Sequence, residues 1–205
     1  MKLLHIDSSV LGSHSASREL SASVVAAWQQ RHPTGTVVYR DLASAPLAHF
    51  SAKVLGARMN PQTTLDDDAR HDVEAGNRAL EELLTADVIV IGTPMYNFSV
   101  PSQLKAWIDR IVVAGTTFKH SANGVEGLIK GKKVIVVSAR GGFYGAETPM
   151  AGFDFQEAYL RKVFGFIGIT DVEFVRAEGL NVSPEQRGKS MEAAQDAIKS
   201  ELSAA

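Results

Sequence analysis

The sequence predicts an α/β protein: a doubly wound sheet of five parallel strands in the order 2-1-3-4-5, with helices on both faces. Three observations carry that expectation. Strand-sized apolar runs alternate five times with segments of helical periodicity. The inner runs, Asp87–Gly92 (DVIVIG) and Lys133–Val137 (KVIVV), are continuously apolar, as strands covered on both faces must be. The 205 residues are enough for one domain, 1–205, with a sizeable core.

Leu3–Ile6 is a short apolar run ending in Asp7-Ser8-Ser9, a buried strand that feeds a polar loop. From Ala16 to Gln30, Leu20, Val24, Ala27 and Trp28 recur at helical spacing, and Pro33 lies just past the end. The β-branched Thr36–Arg40 (TVVYR) forms the second strand. Leu42–Leu65, with Pro46, Gly56 and Pro61, reads as an irregular excursion holding one short helix over Ser51–Arg58. Asp66–Thr85 opens with three Asp residues, whose charge favours a helix N-terminus, and Val73, Leu80, Leu83 and Leu84 make its buried face. The third strand, Asp87–Gly92, passes through a loop, Gly92–Pro101, into a helix over Ser102–Val113. Gly115–Gly131 carries glycines at 115, 124, 127 and 131 and is expected to be a long loop. The fourth strand, Lys133–Val137, is followed by a second long loop, Gly141–Gly152, a helix over Phe153–Phe166 and a last strand, Asp171–Val175. Ser183-Pro184-Glu185-Gln186 has a Ser cap, Pro in the first turn and Gln three residues after the cap, a capping box that opens the final helix.

Composition narrows the chemistry. With 21 basic and 23 acidic residues the net charge is −2, which gives no bulk attraction to nucleic acid or to an anionic membrane. The absence of cysteine excludes disulfides, thiolate metal sites, iron–sulfur clusters and any Cys nucleophile, and fits a reducing compartment. The six histidines show no HxH or HxxxH spacing, so no metal is expected. The apolar N-terminal run is too short for a signal peptide, and the longest apolar stretches are far below the ~20 residues of a membrane span. A cytoplasmic protein is expected.

In a sheet of this order, ligands sit beyond the carboxyl ends of the strands, where the winding reverses between the first and third strands. Three loops lie there. Ser8–Ser17 is rich in small hydroxyl residues and runs into a helix N-terminus, where free N–H groups and the helix dipole favour an anion. It matches neither GxGxxG nor GxxxxGK[ST] and has no lysine for a transferable phosphate, which points to a monophosphate; serines also cap helices and fill turns. Thr93–Pro101 holds Met95, Tyr96, Asn97 and Phe98 between two prolines, a stiff backbone with aromatic edges that suits a flat heterocycle or packs as core. Ala139-Arg140-Gly141-Gly142 offers close backbone approach and a cation, Arg140, suited to the edge of a flavin that gains negative charge on reduction.

The stretches SSVLGSHSAS, PMYNFSVPSQLKAWID, FKHSANGVEGLIKGKKVIVVSARGG and FGFIGITDVEFVRAEG resemble, nearly end to end, the bacterial FMN-dependent NADH:quinone oxidoreductases and azoreductases. These are flavodoxin-like proteins related to DT-diaphorase. The resemblance implies one FMN per subunit, with its phosphate on Ser9, Ser15, Ala16 and Ser17. It implies an isoalloxazine along Met95, Tyr96, Asn97, Phe98, Ala139, Arg140, Gly141 and Gly142. The family commonly carries Ser or Thr where this chain has Ala139, which leaves only a backbone contact there. The resemblance also implies NADH as donor, quinones or azo compounds as acceptors, ping-pong hydride transfer, and a homodimer whose sites draw on both subunits, with Phe164–Gly168 near the shared pocket. The cofactor carries that reaction, so no catalytic side chain is assigned; solvent or His120 would supply protons, and Arg58 is one candidate for a 2′-phosphate of NADPH. A Ser8 hydrolase is disfavoured because no Asp-x-x-His follows near the C-terminus. An electron carrier is disfavoured by the near-neutral charge, and a phospho-receiver by Gly92-Thr93-Pro94 where an acceptor Asp belongs.

Overall fold

The structure is a computed structural model that describes residues 1–60, 62–122 and 124–204; Pro61, Asn123 and Ala205, which fall in the segments 42–65, 115–131 and the chain end, lie outside the described residues. Five strands form the main sheet: β1 (Lys2–Asp7), β2 (Thr36–Asp41), β3 (Val88–Pro94), β6 (Lys133–Ala139) and β7 (Asp171–Ala177). Their order is β2-β1-β3-β6-β7 and every pairing is parallel, which is the expected 2-1-3-4-5 winding. The register sets Leu4 between Val38 and Ile89, and Val136 between Ile91 and Phe174.

Alternation along the strands divides the core in two, because successive side chains point to opposite faces. Leu4, Ile6, Ile89, Ile91, Val134 and Val136 pack against α3 (Asp67–Thr85), α4 (Ser102–Ile111) and α5 (Phe155–Ile167) through Leu83, Trp107 and Phe164. Leu3, Val88, Val90, Ile135 and Val137 pack against α1 (Ala16–Arg31) and α6 (Pro184–Ala204) through Leu20, Val24, Trp28 and Ile198. Covered on both sides, β3 is buried along its whole length, which explains its unbroken apolar run.

Helix starts follow the capping residues. The Ser15 hydroxyl accepts from Arg18 N, Asp66 accepts from Ala69 N, and Asp154 accepts from Glu157 N. Ser51 caps α2 (Ala52–Met59), the short helix expected in the excursion. At α6 only half of the expected capping box forms: Ser183 accepts from Gln186 N at 3.1 Å, but the Gln186 amide reaches forward to Ser190 at 3.0 Å. α5 starts at Phe155, two residues later than expected, and Phe153 instead closes a 3-10 turn, Ala151–Phe153, at the end of the expected loop.

The expected loop at Gly115–Gly131 is instead largely a hairpin, β4 (Phe118–Ser121) antiparallel to β5 (Gly124–Gly127). Its glycines serve contact rather than looseness. A Cβ on Gly127 would stand 2.2 Å from the backbone nitrogen of Gly168, which itself ends α5 at φ 100°. Ile129 N then donates to Ile167 O at 2.9 Å and ties the hairpin's exit to the end of α5.

Gly92, at the end of β3, keeps β1 and β3 close: a Cβ there would lie 2.3 Å from Asp7 Oδ1, 2.8 Å from Ser21 Oγ and 3.0 Å from Ser17 O. Gly92→Ala therefore should destabilise the fold by about 1–3 kcal/mol, since the contact is with buried polar atoms and backbone that cannot retreat. Chemical denaturation checks this, and a loss within 0.5 kcal/mol, as at ordinary surface sites, contradicts it.

Candidate functional site

From β1 the chain enters α1 on one face of the sheet; from β3 it enters α4 on the other. The loops after these neighbouring strands diverge and leave a crevice at their carboxyl ends. One cleft there is walled by Ser9, Ser15 and Ala16 from the first loop, by Met95 and Tyr96 from the second, and by Ala139, Arg140 and Gly141 from the third. The remaining sequence-assigned residues flank it. Ser17 is fully buried with its hydroxyl 3.1 Å from that of Ser15, Asn97 and Phe98 form the exposed tip of the second loop, and Gly142 follows Gly141.

The first loop ends in a helix N-terminus. Ser9 and Ser15 are buried, and the N–H groups of Ala16 and Ser17 have no acceptor among the described residues. Among the described residues no Asp or Glu lines the cleft, whereas Arg140 and Arg187 do. A phosphate dianion fits this donor set without lysine.

The second loop is a two-residue hairpin turn. Tyr96 and Ser99 exchange both backbone hydrogen bonds at 3.1 Å, while Asn97 (φ 48°) and Phe98 (φ 70°) are left-handed. Asn tolerates that region, but for Phe it costs about 1–2 kcal/mol. Such strain persists where surrounding contacts over-determine it. Among the described residues the N–H groups of Asn97 and Phe98 find no acceptor, the buried Tyr96 hydroxyl finds no partner, and the N–H groups of Gly141 and Gly142 are likewise unpaired. Unpaired donors around a narrow slot fit a heteroaromatic ring with several acceptors.

Arg140 is where the structure corrects the sequence. Its side chain is 1% exposed and points into a carboxylate cluster, with Asp154 at 2.8 Å, Glu178 at 3.2 Å and Glu157 at 3.5 Å. Its own N–H donates to Ala177 O. Arg140 still lines the cleft, but its guanidinium is committed to these carboxylates, which leaves the backbone donors that the loop also offers, with Gly141 on the cleft wall. Arg58 is also committed: it donates to the carbonyls of Asp109 and Arg110 at the end of α4, and burial, with the nearby Arg110 charge, holds its pKa down. His120 lies on the exposed hairpin with its ring 5.7 Å from that of Phe118.

Sequence reasoning passed over Leu180, Asn181 and Arg187, which close the cleft from the segment after β7. The signal was present, because that segment also follows the carboxyl end of a strand. It also passed over Arg18. The Arg18 guanidinium donates to Ser9 O at 2.8 and 3.2 Å and forms a two-point pair with Asp41 at 2.7 and 2.8 Å. Behind it, Tyr39 and Ser21 donate to Asp7 at 3.0 and 2.8 Å, and the Ser21 hydroxyl meets His5 Nε2 at 2.9 Å. The Arg18 hydrogen bond holds the Asp41 carboxyl down to about 2, while burial, then the Asp7 charge, pushes the Tyr39 phenol up to about 12. An ionic network, buried at Asp7, Ser21 and His5 and partly exposed at Arg18 and Asp41, thus fixes the first loop from behind.

A family described as having a flavodoxin-like fold matches residues 1–202. The chain is 53% identical over 197 residues to an FMN-dependent NADH:quinone oxidoreductase of Methylorubrum populi, covering 96% of this chain and 97% of the relative. It is 52% identical over 205 residues to FMN-dependent NADH:quinone oxidoreductase 1 of Pseudomonas putida, covering 100% of both. Among solved structures, an azoreductase from Bacillus anthracis superposes with a TM-score of 0.89 at 28% identity, covering 98% of each chain. An FMN-dependent NADH-azoreductase from the same species, in complex with FMN, gives 0.88 at 26% identity, covering 98% of this chain and 97% of that one.

The Arg18–Asp41 pair has a pH signature. Because the folded Asp41 pKa is depressed to about 2 from about 3.9 unfolded, its stabilisation is complete above about pH 4 and lost as pH falls from there towards about 2. Asp41→Asn should flatten the fall in unfolding free energy across that window, measured by urea denaturation at a series of pH values. An unchanged slope contradicts the pairing.

Proposed function

The chain belongs to the flavodoxin-like family of FMN-dependent NADH:quinone oxidoreductases and azoreductases, and on that membership we propose a site and a mode of action for it. It is an FMN-dependent oxidoreductase that takes electrons from NADH and passes them to quinones, and reductively cleaves aromatic azo compounds. The observation that carries the assignment of the site is the convergence of three loops on one cleft at the strand-order reversal, with a phosphate-sized set of N–H and hydroxyl donors at one end and unpaired amides at the other.

In this reading Ser9, Ser15 and the N–H groups of Ala16 and Ser17 would hold the FMN phosphate, and Arg187 adds positive charge at the rim. The ring would be seated by Met95, Tyr96, Asn97 and Phe98, with the amides of Gly141 and Gly142 as its hydrogen-bond donors. Bound FMN supplies two-electron, hydride-accepting chemistry that no side chain of this cysteine-free chain supplies. The protein's part is to bind, orient and exclude water; no side chain is assigned as acid or base. NADH and the acceptor use the same open mouth in turn, which gives ping-pong kinetics.

The reading extends to a homodimer. Phe118 and Phe166 stack at 4.7 Å between centroids, and Phe166 keeps 40% of its surface exposed although its neighbours Phe164 and Ile167 are in the core. Phe118 also lines an apolar groove with Phe50, Leu55 and Met59, the last 79% exposed. So much apolar surface in one region supports coverage by a second copy. Among the described residues no helix is long and apolar enough to cross a membrane. A cytoplasmic location is supported by the NADH donor named for the relatives and the lack of cysteine.

Ser15→Asp tests the phosphate assignment, because Asp caps a helix as well as Ser but sets a carboxylate against a dianion. It should keep the melting temperature within a few degrees and weaken FMN binding at least tenfold by flavin fluorescence titration; unchanged affinity contradicts the assignment. Phe166→Asp should convert a dimeric wild type to monomer by sedimentation velocity, and a monomeric wild type contradicts the dimer.

A further inference from the structure

Behind the cleft runs a chain of buried polar groups with one consistent sense. Arg140 Nε donates to Ser138 Oγ at 2.9 Å, and its terminal nitrogens are held by Asp154, Glu157 and Glu178. A guanidinium only donates, so the Ser138 hydroxyl must accept from it and turn its own proton elsewhere. That proton goes to Gln156 Oε1. The Gln156 amide is thereby fixed with Nε2 facing the second loop, where it donates to Pro94 O at 2.8 Å and Ser99 O at 3.4 Å. Ser138 and Gln156 are fully buried and Arg140 is 1% exposed. Beside Gln156, Phe155 N donates to Phe98 O at 3.2 Å. Pro94 and Ser99 bracket the turn in which Asn97 and Phe98 are left-handed. The start of α5 therefore grips both shoulders of the strained turn and its tip.

We propose that Gln156 is a positioning residue: oriented by Arg140 through Ser138, it holds the Tyr96–Ser99 turn in its left-handed form, and so sets how tightly and at what potential the flavin is bound. The inference rests on the functional reading above, in which that turn seats the ring. It gives Arg140 a role that differs from the one its position suggests. Its charge acts on the site through two side chains and a backbone turn rather than by facing the ring.

The test uses the full-length chain, stripped of and reloaded with FMN. Gln156→Met keeps the side-chain volume and removes both hydrogen-bonding functions. It should raise the dissociation constant for FMN about tenfold or more by fluorescence titration and shift the midpoint potential of the bound flavin. Phe98→Gly releases the left-handed strain, since glycine adopts that region freely. If the grip is what matters, the affinity lost on Gln156→Met should be several-fold smaller when made in the Phe98→Gly background. A purely structural role for Gln156 leaves the loss equal in both backgrounds and overturns the proposal. So does a Gln156→Met protein with FMN affinity and potential within twofold and within error of wild type. Should Gln156→Met fail to fold, Ser138→Ala frees the amide without touching the turn and should weaken FMN binding in the same direction; wild-type affinity there overturns the proposal. A wild type that takes up no FMN fails the functional reading itself, and this inference with it.

Discussion

The cleft exists because of a topological constraint: the sheet is wound in opposite directions from β1 and β3. Two adjacent parallel strands send their chains to helices on opposite faces, so no connection covers the carboxyl ends between them. Both strands must be buried on both faces for this to hold, and both are: β3 along its whole length through an apolar run, and β1 from Leu3 to Asp7 with His5 and Asp7 hydrogen-bonded. The crevice is thus a consequence of how the core is covered, and the loops that line it are free to carry chemistry because the sheet beneath them is rigid.

What the loops share is support by buried charge. Arg18, with Asp41 and the Asp7–Tyr39–Ser21 cluster, holds Ser9 O on the phosphate side. Arg140, with three carboxylates, acts through Ser138 and Gln156 on the ring side. Neither guanidinium presents its charge to the cleft as a ligand. Each leaves backbone N–H groups as donors, which suits an oxidoreductase whose cofactor changes charge, because fixed amide dipoles can polarise a bound ring. Burying such networks costs desolvation, and their full pairing is what makes them rigid.

Much of this was legible in the sequence. Five strands, their order and the three loops at the switch point follow from apolar runs and their alternation with helices, because burial on two faces leaves an unmistakable composition. The hairpin at Phe118–Gly127 was not legible: both its faces are largely exposed, so no alternation marks it, and its glycines look like a loop until Gly127 is seen against Gly168. Arg140 misled for a related reason. Its partners Asp154, Glu157 and Glu178 are 14 to 38 residues away in the chain, and only the fold brings them within 3.5 Å. Asn181 and Arg187 were within reach, since the same carboxyl-end rule applies to β7 as to β1, β3 and β6.

The most direct measurement is a crystal structure of the chain grown with FMN. The account places the phosphate against the N–H groups of Ala16 and Ser17, the ring along residues 95–98, and the Arg140 side chain still turned away into its carboxylates. A flavin lying elsewhere, or an Arg140 guanidinium swung out to meet it, would contradict the claim that backbone donors at the strand-order reversal make the site.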